Sequence, residues 1–525
     1  FGLIFHVLSQ VSATMVRVAA VASLFTVATA QQAGSQTNEN HPSVSFSKCD
    51  ASGCQSQQGK ITIDANWRWT HVTSGTQNCY EGNTWDATIC PDEATCTSNC
   101  VIEGADSEYT STYGVEGSGN SLSLNFVTQG PYSKNIGSRT YLMDSDDSYM
   151  LFKLKNKEFT YTVDDSKLDC GLNGALYFVQ MDADGGKAKY SNAGAKYGTG
   201  YCDAQCPHDL KFINGKANVE GWKPSATDPN AGIGKYGSCC TEIDIWEANQ
   251  HSTAFTMHSC EGGSQTRCEG AECGDNASGE RFKGMCDKNG CDMQSFRLGT
   301  KDFFGPGSNF KIDSTKPVQV TTQFITDDNT DSGKLKEVKQ LYHQNGQTIE
   351  HSMYTVNGNK HDRITTDYCE DWVAETQDGT NFLDKGGMNS IDKALEAGVV
   401  LVMSLWDDHE ANMLWLDSTY PVDSTTPGSV RGSCATTSGV PKDVESKQAN
   451  AKVTFSDIKY GAIGSTTDGP SPSPSPTPSP PSPSPTPSDC PGGSLDACID
   501  LCPSDAFAAC VKSCQRRCAS DDMLV

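Results

Sequence analysis

The sequence has few basic residues. Among its 525 residues, 40 Lys and Arg stand against 65 Asp and Glu, so the formal net charge is −25. A negative surface repels phosphate groups, which argues against nucleic acid and anionic membranes as partners. No apolar run reaches the roughly 20 residues that a membrane-spanning helix needs. An uncharged ligand is compatible with this composition.

Long helical periodicity is also scarce, whereas glycine is abundant, with 49 residues. Short alternating runs stand between Gly, Asn, Asp and Ser clusters, for example at Lys60–Trp69, Ser121–Val127, Phe159–Val163 and Val399–Leu405. Such runs predict β-strands, and many of them in one domain predict two large packed antiparallel sheets. A helix is predicted near Ser390–Ala397. The expected fold class is all-β.

The 24 cysteines form no compact Cys/His quartet of the kind that binds structural zinc. Eighteen lie between Cys49 and Cys434, and six between Cys490 and Cys518. Both sets are even, which is typical of disulfides formed in an oxidising compartment. We therefore expect nine bridges in the first set, with the pairing left open. We expect no metal and no other cofactor.

The chain divides into segments of different composition. From Met15 a basic start, an apolar run and a final A-x-A predict a signal peptide, and hence a secreted, extracellular protein. A Pro/Ser/Thr tract near the other end cannot bury a core and predicts an extended linker. The last segment carries cysteines at i, i+4 spacing, which predicts a disulfide-linked helical hairpin of unknown partner. The predicted segments are upstream untranslated sequence (1–14), signal peptide (15–30), β-sandwich domain (31–467), linker (468–488) and Cys-rich module (489–525).

Three acidic residues stand in the apolar segment Cys239–Asn249, CCTEIDIWEAN. Alternation along a strand places Glu242 and Asp244 on one face, together with Trp246, and Glu247 on the other. One extra residue, a β-bulge, would return Glu247 to the face of Glu242, and bulges are common beside active sites. Side chains leaning inward would then leave the two glutamate carboxyls roughly 5 Å apart, the spacing of retaining glycosidases.

In that chemistry one glutamate attacks a sugar carbon while the other protonates the leaving oxygen. Asp244 would hydrogen-bond the nucleophile and raise the pKa of the acid by like-charge repulsion. Spacing alone leaves an alternative open, three carboxylates on a solvated strand face. The tryptophans at 67, 69, 406 and 415 favour the first interpretation, because sugar rings stack on aromatic platforms; Trp67 and Trp69 are predicted to share one strand face.

At these residues the sequence resembles family 7 of the glycoside hydrolases, in particular its reducing-end cellobiohydrolases. The resemblance extends over about 42–464 and includes IDANWRWTH, CGLNGALYFVQMDADGG, EIDIWEAN and VLVMSLWDDHEANMLWLDSTYP. It implies a concanavalin-like jelly-roll β-sandwich whose long loops roof a tunnel for one glucan chain. The implied partner is cellulose or another β-1,4-glucan, and the protein itself is implied to be a monomer.

The resemblance also implies roles for individual residues. Glu242 matches the nucleophile, Asp244 its partner, Glu247 the acid/base and His258 a histidine near the catalytic subsite. Trp67 and Trp69 match platforms at the tunnel mouth, and Trp406 and Trp415 match platforms flanking the cleavage point. The polar residues that match groups holding sugar hydroxyls are Asn173, Tyr177, Asp203, Gln205, Arg281 and Arg431.

Full-length roof loops at Lys223–Gly237 and Cys260–Cys286 favour a processive cellobiohydrolase over an endoglucanase of the same family. A non-catalytic glucan-binding lectin is a remote third alternative. Ala277 and Glu410 depart from the family, whose roof loops commonly carry tyrosines there, and Asn276 begins a glycosylation sequon. An N-terminal disulfide common in the family is also missing, since Val101 replaces one of its cysteines. The loss of the roof tyrosines at 277 and 410 predicts a tunnel that opens more often, unless neighbouring residues compensate.

Overall fold

The structure is a computed structural model, and it describes residues 30–275 and 280–467. The predictions for the upstream sequence, the signal peptide, the linker and the Cys-rich module lie outside the described residues. So do Asn276 and Ala277. The compact unit that holds the described residues ends at Thr467. No helix in this described part is long and apolar enough to cross a membrane.

The described chain is built mainly from strands, which are numbered in chain order. The first seventeen are β1 (Gln32–Ala33), β2 (Ser43–Asp50), β3 (Gly53–Ile63), β4 (Thr70–Val72), β5 (Tyr80–Glu81), β6 (Thr84–Trp85), β7 (Cys100–Ile102), β8 (Val115–Ser118), β9 (Ser121–Asn125), β10 (Val127–Gln129), β11 (Lys134–Ile136), β12 (Ser138–Ser145), β13 (Ser148–Tyr149), β14 (Leu151–Phe152), β15 (Lys157–Asp164), β16 (Leu172–Val179) and β17 (Phe212–Ile213). The others are β18 (Lys216–Ala217), β19 (Lys223–Pro224), β20 (Gly232–Ile233), β21 (Tyr236–Cys239), β22 (Glu242–Asn249), β23 (Ser252–His258), β24 (Thr266–Glu269), β25 (Cys291–Met293), β26 (Phe304–Gly305), β27 (Ile312–Asp313), β28 (Val318–Thr326), β29 (Leu335–Gln344), β30 (Gln347–Glu350), β31 (Tyr354–Val356), β32 (Asn359–His361), β33 (Val399–Asp407) and β34 (Lys452–Ala462). The α-helices are α1 (Glu93–Asn99), α2 (Glu108–Ser111), α3 (Thr366–Thr376), α4 (Gly387–Ala397), α5 (Leu414–Asp417) and α6 (Pro441–Lys447).

Seventeen of the strands form one continuous hydrogen-bonded system that folds over on itself. One half, called the inner half below, has the strand order β25, β23, β22, β16, β33, β12, β3. The outer half runs β30, β29, β28, β15, β34, β9, β8. Strand β2 links the halves, since it pairs antiparallel with β3 and parallel with β34.

Successive side chains of a strand point to opposite faces of the sheet, and the two faces of the inner half have different neighbours. Leu176, Phe178 and Leu401 belong to the main core, which also holds Phe159 and Val320 of the outer half. The opposite face carries a second, smaller cluster of residues from β12, β16 and β33. The predicted all-β sandwich of two packed sheets is therefore confirmed, and the second face of the inner half is left for the candidate site.

Local predictions fared unevenly. The strands at Phe159–Val163 and Val399–Leu405 are confirmed within β15 and β33, and the predicted helix lies within α4. The prediction of a single strand over Lys60–Trp69 is wrong, because β3 ends at Ile63 and a turn follows. The run at Ser121–Val127 divides between β9 and β10.

Nine disulfides join all eighteen cysteines of the described residues, as expected from their even number. Sequence could not give the pairing. Three bridges stand close to the candidate site: Cys202–Cys240, Cys206–Cys239 and Cys260–Cys286. Near the start of the domain, β1 pairs with β7 and sets Gln32 opposite Val101, so backbone hydrogen bonds hold this segment without a disulfide.

Candidate active site

A β-bulge in β22 brings the three carboxylates to one face. Against β16, Asp244 pairs with Tyr177 and Trp246 with Leu176, which leaves Ile245 as an extra residue. The pairing with β23 shows the same shift between Asp244 and Glu247. The bulge predicted from the sequence is confirmed. It also corrects the placement of Trp246, which is fully buried in the main core with Ile245, on the face opposite Glu242.

Glu242 begins β22 and is buried, with 8% of its surface exposed. Its Oε2 accepts a hydrogen bond from the backbone N–H of Ala204 at 3.0 Å. Burial, together with the nearby charges of Asp244 and Asp203, raises the pKa of Glu242 well above its ordinary value. The Ala204 hydrogen bond opposes this effect, because it favours the ionised form.

Asp244 lies between Glu242 and His258. A hydrogen bond joins the Asp244 and Glu242 carboxyls, so one of the two must carry a proton. Burial and the charge of Glu247 raise the pKa of Asp244 well above its ordinary value. On the other side, Asp244 Oδ2 is 3.1 Å from His258 Nε2. His258 Nδ1 donates to the backbone carbonyl of Asp287 at 2.8 Å, which fixes the direction of Nε2 toward Asp244.

Glu247 lies on the same face, one strand away from Asn173. Asn173 Nδ2 donates to Glu247 Oε1 at 3.0 Å, and Asn173 Oδ1 accepts from the backbone of Ala248. Burial raises the pKa of Glu247 to about 7, and the Asn173 hydrogen bond counteracts part of the rise. A carboxyl with this pKa is largely protonated at mildly acidic pH and can act as a general acid.

A hydrogen-bonded chain of three side chains extends from the sheet toward Glu242. Tyr201 donates to Asp203 Oδ2 at 2.7 Å, and the hydroxyls of Tyr177 and Tyr201 are 2.8 Å apart. Because Tyr201 uses its proton on Asp203, Tyr177 donates to Tyr201. The Arg139 guanidinium lies 3.4 Å from the Tyr201 ring centroid. Tyr201 and Arg139 were not found from sequence; Tyr201 stands two residues before Asp203 in the run GTGYCDAQ, whereas Arg139 carries no local signal.

Three predicted polar residues lie further from the carboxylates. Gln205 and Arg281 both donate to the backbone carbonyl of Lys288, at 2.8 and 3.3 Å, so these two residues do come together. Arg431 lies 3.7 Å from Asp378, and burial lowers its pKa to about 10. Its Nε is buried without a hydrogen-bond partner among the described residues, which leaves one donor for a ligand.

Tyr420 was also missed from sequence. Its ring lies 6.0 Å from the Arg431 guanidinium. With 36% of its surface exposed, it offers an aromatic face beside that arginine. Its position after a helix, in the motif DSTYP, gives no periodic signal by which the sequence could have identified it.

The four predicted platform tryptophans are all half-buried. Trp67 lies in the turn after β3 and donates to the carbonyl of Gly137, while Trp69 stands just before β4 and stacks on His71. The prediction that they share a strand face is wrong, since the turn separates them. Trp406 and Trp415 do come together, with ring centroids 6.2 Å apart.

The geometry also bears on metals. Glu242, Asp244 and His258 place one ligand atom each within 4.8 Å of one another, close enough to hold a cation. The Ala204 N–H and the Asp287 carbonyl already satisfy Glu242 and His258 by hydrogen bonding. The absence of a metal cofactor stays a prediction.

Comparison with known proteins identifies the family of this chain. The model of glycosyl hydrolase family 7 matches residues 33–467. A GH7 family cellobiohydrolase from Daphnia pulex is 54% identical, with a TM-score of 0.82, and the match covers 83% of this chain and 100% of that chain. A cellobiohydrolase from Melanocarpus albomyces, solved with cellotetraose, is 45% identical with a TM-score of 0.79, covering 84% and 100%. The endocellulase EGI of Humicola insolens is 34% identical with a TM-score of 0.70, covering 83% and 100%. On the family match and these identities, the chain belongs to glycosyl hydrolase family 7.

Proposed function

We propose that this glycoside hydrolase cleaves the β-1,4-glucosidic bonds of cellulose with retention of configuration, and releases cellobiose processively from reducing chain ends. The observation that carries the proposal is the bulge in β22, which aligns Glu242, Asp244 and Glu247 on one face. Their environments differ, which is how two carboxylates take different roles. The lectin alternative gains nothing from this arrangement, because binding alone does not need it.

In the first step the Glu242 carboxylate attacks the anomeric carbon while Glu247 donates its proton to the departing glycosidic oxygen. The bond from sugar to leaving group breaks as the glycosyl–Glu242 ester forms. The Ala204 N–H favours the ionised form of Glu242 before attack, and the hydrogen bond between the two carboxyls gives the Glu242 proton a second carboxyl, Asp244, to occupy. His258 orients Asp244 from the opposite side.

In the second step Glu247, now a carboxylate, takes a proton from water as the water oxygen attacks the anomeric carbon and the bond from that carbon to Glu242 breaks. Glu242 leaves as a carboxylate, and the product keeps the β configuration. The pKa of about 7 suits Glu247 to both steps, because the group gains and loses its proton near the working pH. Asn173 holds the carboxyl in place through both.

Two observations favour exo over endo action. The segment from 260 to 286 is closed at its base by Cys260–Cys286 and is bridged again by Cys268–Cys273, so two disulfides anchor this long loop. Identity is 45–54% to the cellobiohydrolases named above and 34% to the endocellulase. An endoglucanase with a more open cleft is the second candidate, favoured by Glu410, which is exposed and lacks the aromatic ring expected there.

Sugar contacts are proposed for the remaining residues. Trp67 and Trp69 would guide the chain in, Trp406 and Trp415 would stack on rings flanking the cleaved bond, and the polar residues would bind hydroxyls. We further propose that the enzyme is secreted and acts as a monomer, with glycosylation at Asn276. The excess of negative charge is compatible with this, because the substrate is uncharged.

Product analysis on crystalline cellulose tests the proposal. Cellobiose should dominate the soluble products, and cellulose labelled at its reducing ends should lose label early. An NMR time course should show β-cellobiose before its α anomer. Initial α product would contradict the roles of the two glutamates, whereas rapid viscosity loss of soluble cellulose with few soluble ends would select the endoglucanase.

A further inference from the structure

A single imidazole joins two segments that approach the carboxylate face from opposite ends. His409 follows β33, two residues after its end, and its Nδ1 donates to the backbone carbonyl of Thr227 at 2.9 Å. Thr227 lies in the loop between β19 and β20, a short hairpin that precedes β21. The two residues are 182 positions apart in sequence.

Strand register shows what this contact spans. The hairpin leads through β21 to Glu242, which lies opposite Val179 of β16. His409 follows Trp406, which lies opposite Asn173 at the other end of β16. Six residue steps separate Asn173 from Val179, or about 20 Å of strand. To reach His409, the hairpin must therefore extend along the face that carries Glu242 and Glu247.

Independent contacts place the hairpin tip in the same position. The charge of Asp228 acts on Asp407, which is held at a pKa of about 6 mainly by burial. On its other flank the tip is held by Asn83, which donates to the carbonyls of Ser225 and Asp228, and by Tyr80, which donates to Asn230. The tip is thus fixed from two sides, and His409 provides the side nearest Trp406.

The imidazole is itself held in place. It is half-buried, with 16% of the side chain exposed, and its Nε2 lies 3.8 Å from Glu445 Oε1 and 4.0 Å from Asp407 Oδ1. Glu445 is in turn paired with Lys134 at 2.5 Å. These contacts limit the rotation of the ring and keep Nδ1 directed at Thr227.

Together the contacts make a closed circuit: β22, β16, β33, His409, Thr227, the hairpin, β21 and back to β22. We propose that His409 is a specificity-determining residue, whose bond to Thr227 closes the roof over the carboxylates and sets the ratio of chain-end to internal cuts. A chain inside the circuit must be threaded from an end, whereas an open circuit admits an internal segment. The inference rests on the proposed hydrolysis of cellulose, and it identifies a roof contact adjacent to Glu410, where the family pattern is lost.

The test compares His409→Ala with His409→Asn in the full chain, since the Asn amide nitrogen can occupy the place of Nδ1. His343→Ala is the matched control; His343 is a half-buried histidine on β29, outside the proposed roof contact, and its ring contacts Thr348. Loss of one hydrogen bond should open the roof about fivefold more often. Amide exchange over 225–231 should then quicken about fivefold in His409→Ala, with a larger share of insoluble reducing ends on cellulose. His409→Asn should restore both values.

Turnover of an aryl cellobioside, which needs no threading, should be equal in all variants. Unchanged exchange in His409→Ala would overturn the roof contact, and faster exchange with an unchanged ratio of soluble to insoluble ends would overturn its role in specificity. A parent enzyme that releases no cellobiose from cellulose would instead contradict the proposed function, while the exchange measurement would still decide the contact.

Discussion

At the scale of single residues, Glu242 offers the simplest test. Glu242→Gln keeps the shape of the side chain but cannot form a glycosyl ester, so turnover of every substrate should be abolished. Glu116→Gln is a matched control, because Glu116 is exposed on β8 and contacts Asn125. Hydrolysis of cellulose and of an aryl cellobioside should both be measured. Activity above a few per cent in purified Glu242→Gln would remove it from the role of nucleophile.

Glu247 should behave differently on different substrates. Glu247→Gln removes the proton donor, which costs about 10²–10⁴-fold where the leaving group needs protonation. A dinitrophenyl cellobioside has a leaving group that departs unprotonated, so its first step should be little affected. The comparison of kcat/KM on the two substrates checks this. Equal losses on both would assign Glu247 a structural role.

The pH profile should report the pKa of Glu247. The carboxyl is protonated below about 7 and loses its proton as pH rises through that value, so kcat/KM should fall on the alkaline side near pH 7. The hydrogen bond from Asn173 lowers this pKa, and Asn173→Ala should therefore move the alkaline limb to higher pH. A limb that moves to lower pH would show that Asn173 does not act through this bond.

At the scale of elements, the bulge in β22 turns Trp246 into the core and Glu247 toward the candidate site. A core tryptophan and a predicted platform tryptophan should therefore respond differently to substitution. Trp246 is buried in the core against Phe304, so Trp246→Ala should lower the free energy of unfolding by about 3–5 kcal/mol. Trp69 is half-buried outside the main core, and Trp69→Ala should cost much less stability while weakening action on cellulose. Denaturant unfolding and cellulose hydrolysis separate the two effects. Similar losses of stability in both variants would contradict this division.

At the scale of the whole molecule, the disulfides differ in the length of chain that they close. Cys170–Cys434 spans 264 residues, whereas Cys49–Cys54 spans 5. Loop entropy alone predicts that removing the first costs about 5.6 kcal/mol and the second about 2 kcal/mol. The double Cys→Ala variant that lacks Cys170–Cys434 should therefore melt at a lower temperature than the one that lacks Cys49–Cys54. The reverse order would show that local packing outweighs loop closure in this fold.

Features of the fold and of the candidate site could be predicted when they depend on residues that are close together in the sequence. The all-β class and the β22 bulge follow from residues within a few positions of one another, and the expectation of nine bridges needs only a count of the cysteines. Chemistry required the bulge, since without it Glu247 would point into the core with Ile243 and Ile245. The error at Trp67 and Trp69 has a local cause too, because apolar alternation continues past Ile63 although the backbone turns.

By itself the sequence determined which groups are available: three carboxylates on one strand, four tryptophans beside polar residues and enough cysteines for nine bridges. Only the tertiary structure decided what surrounds them. The Ala204 N–H beside Glu242, the Tyr177–Tyr201 pair and the His409–Thr227 bond join segments that only the fold brings into contact. Backbone donors leave no mark in a sequence, and a pKa depends on burial, which arises only when the sheets pack.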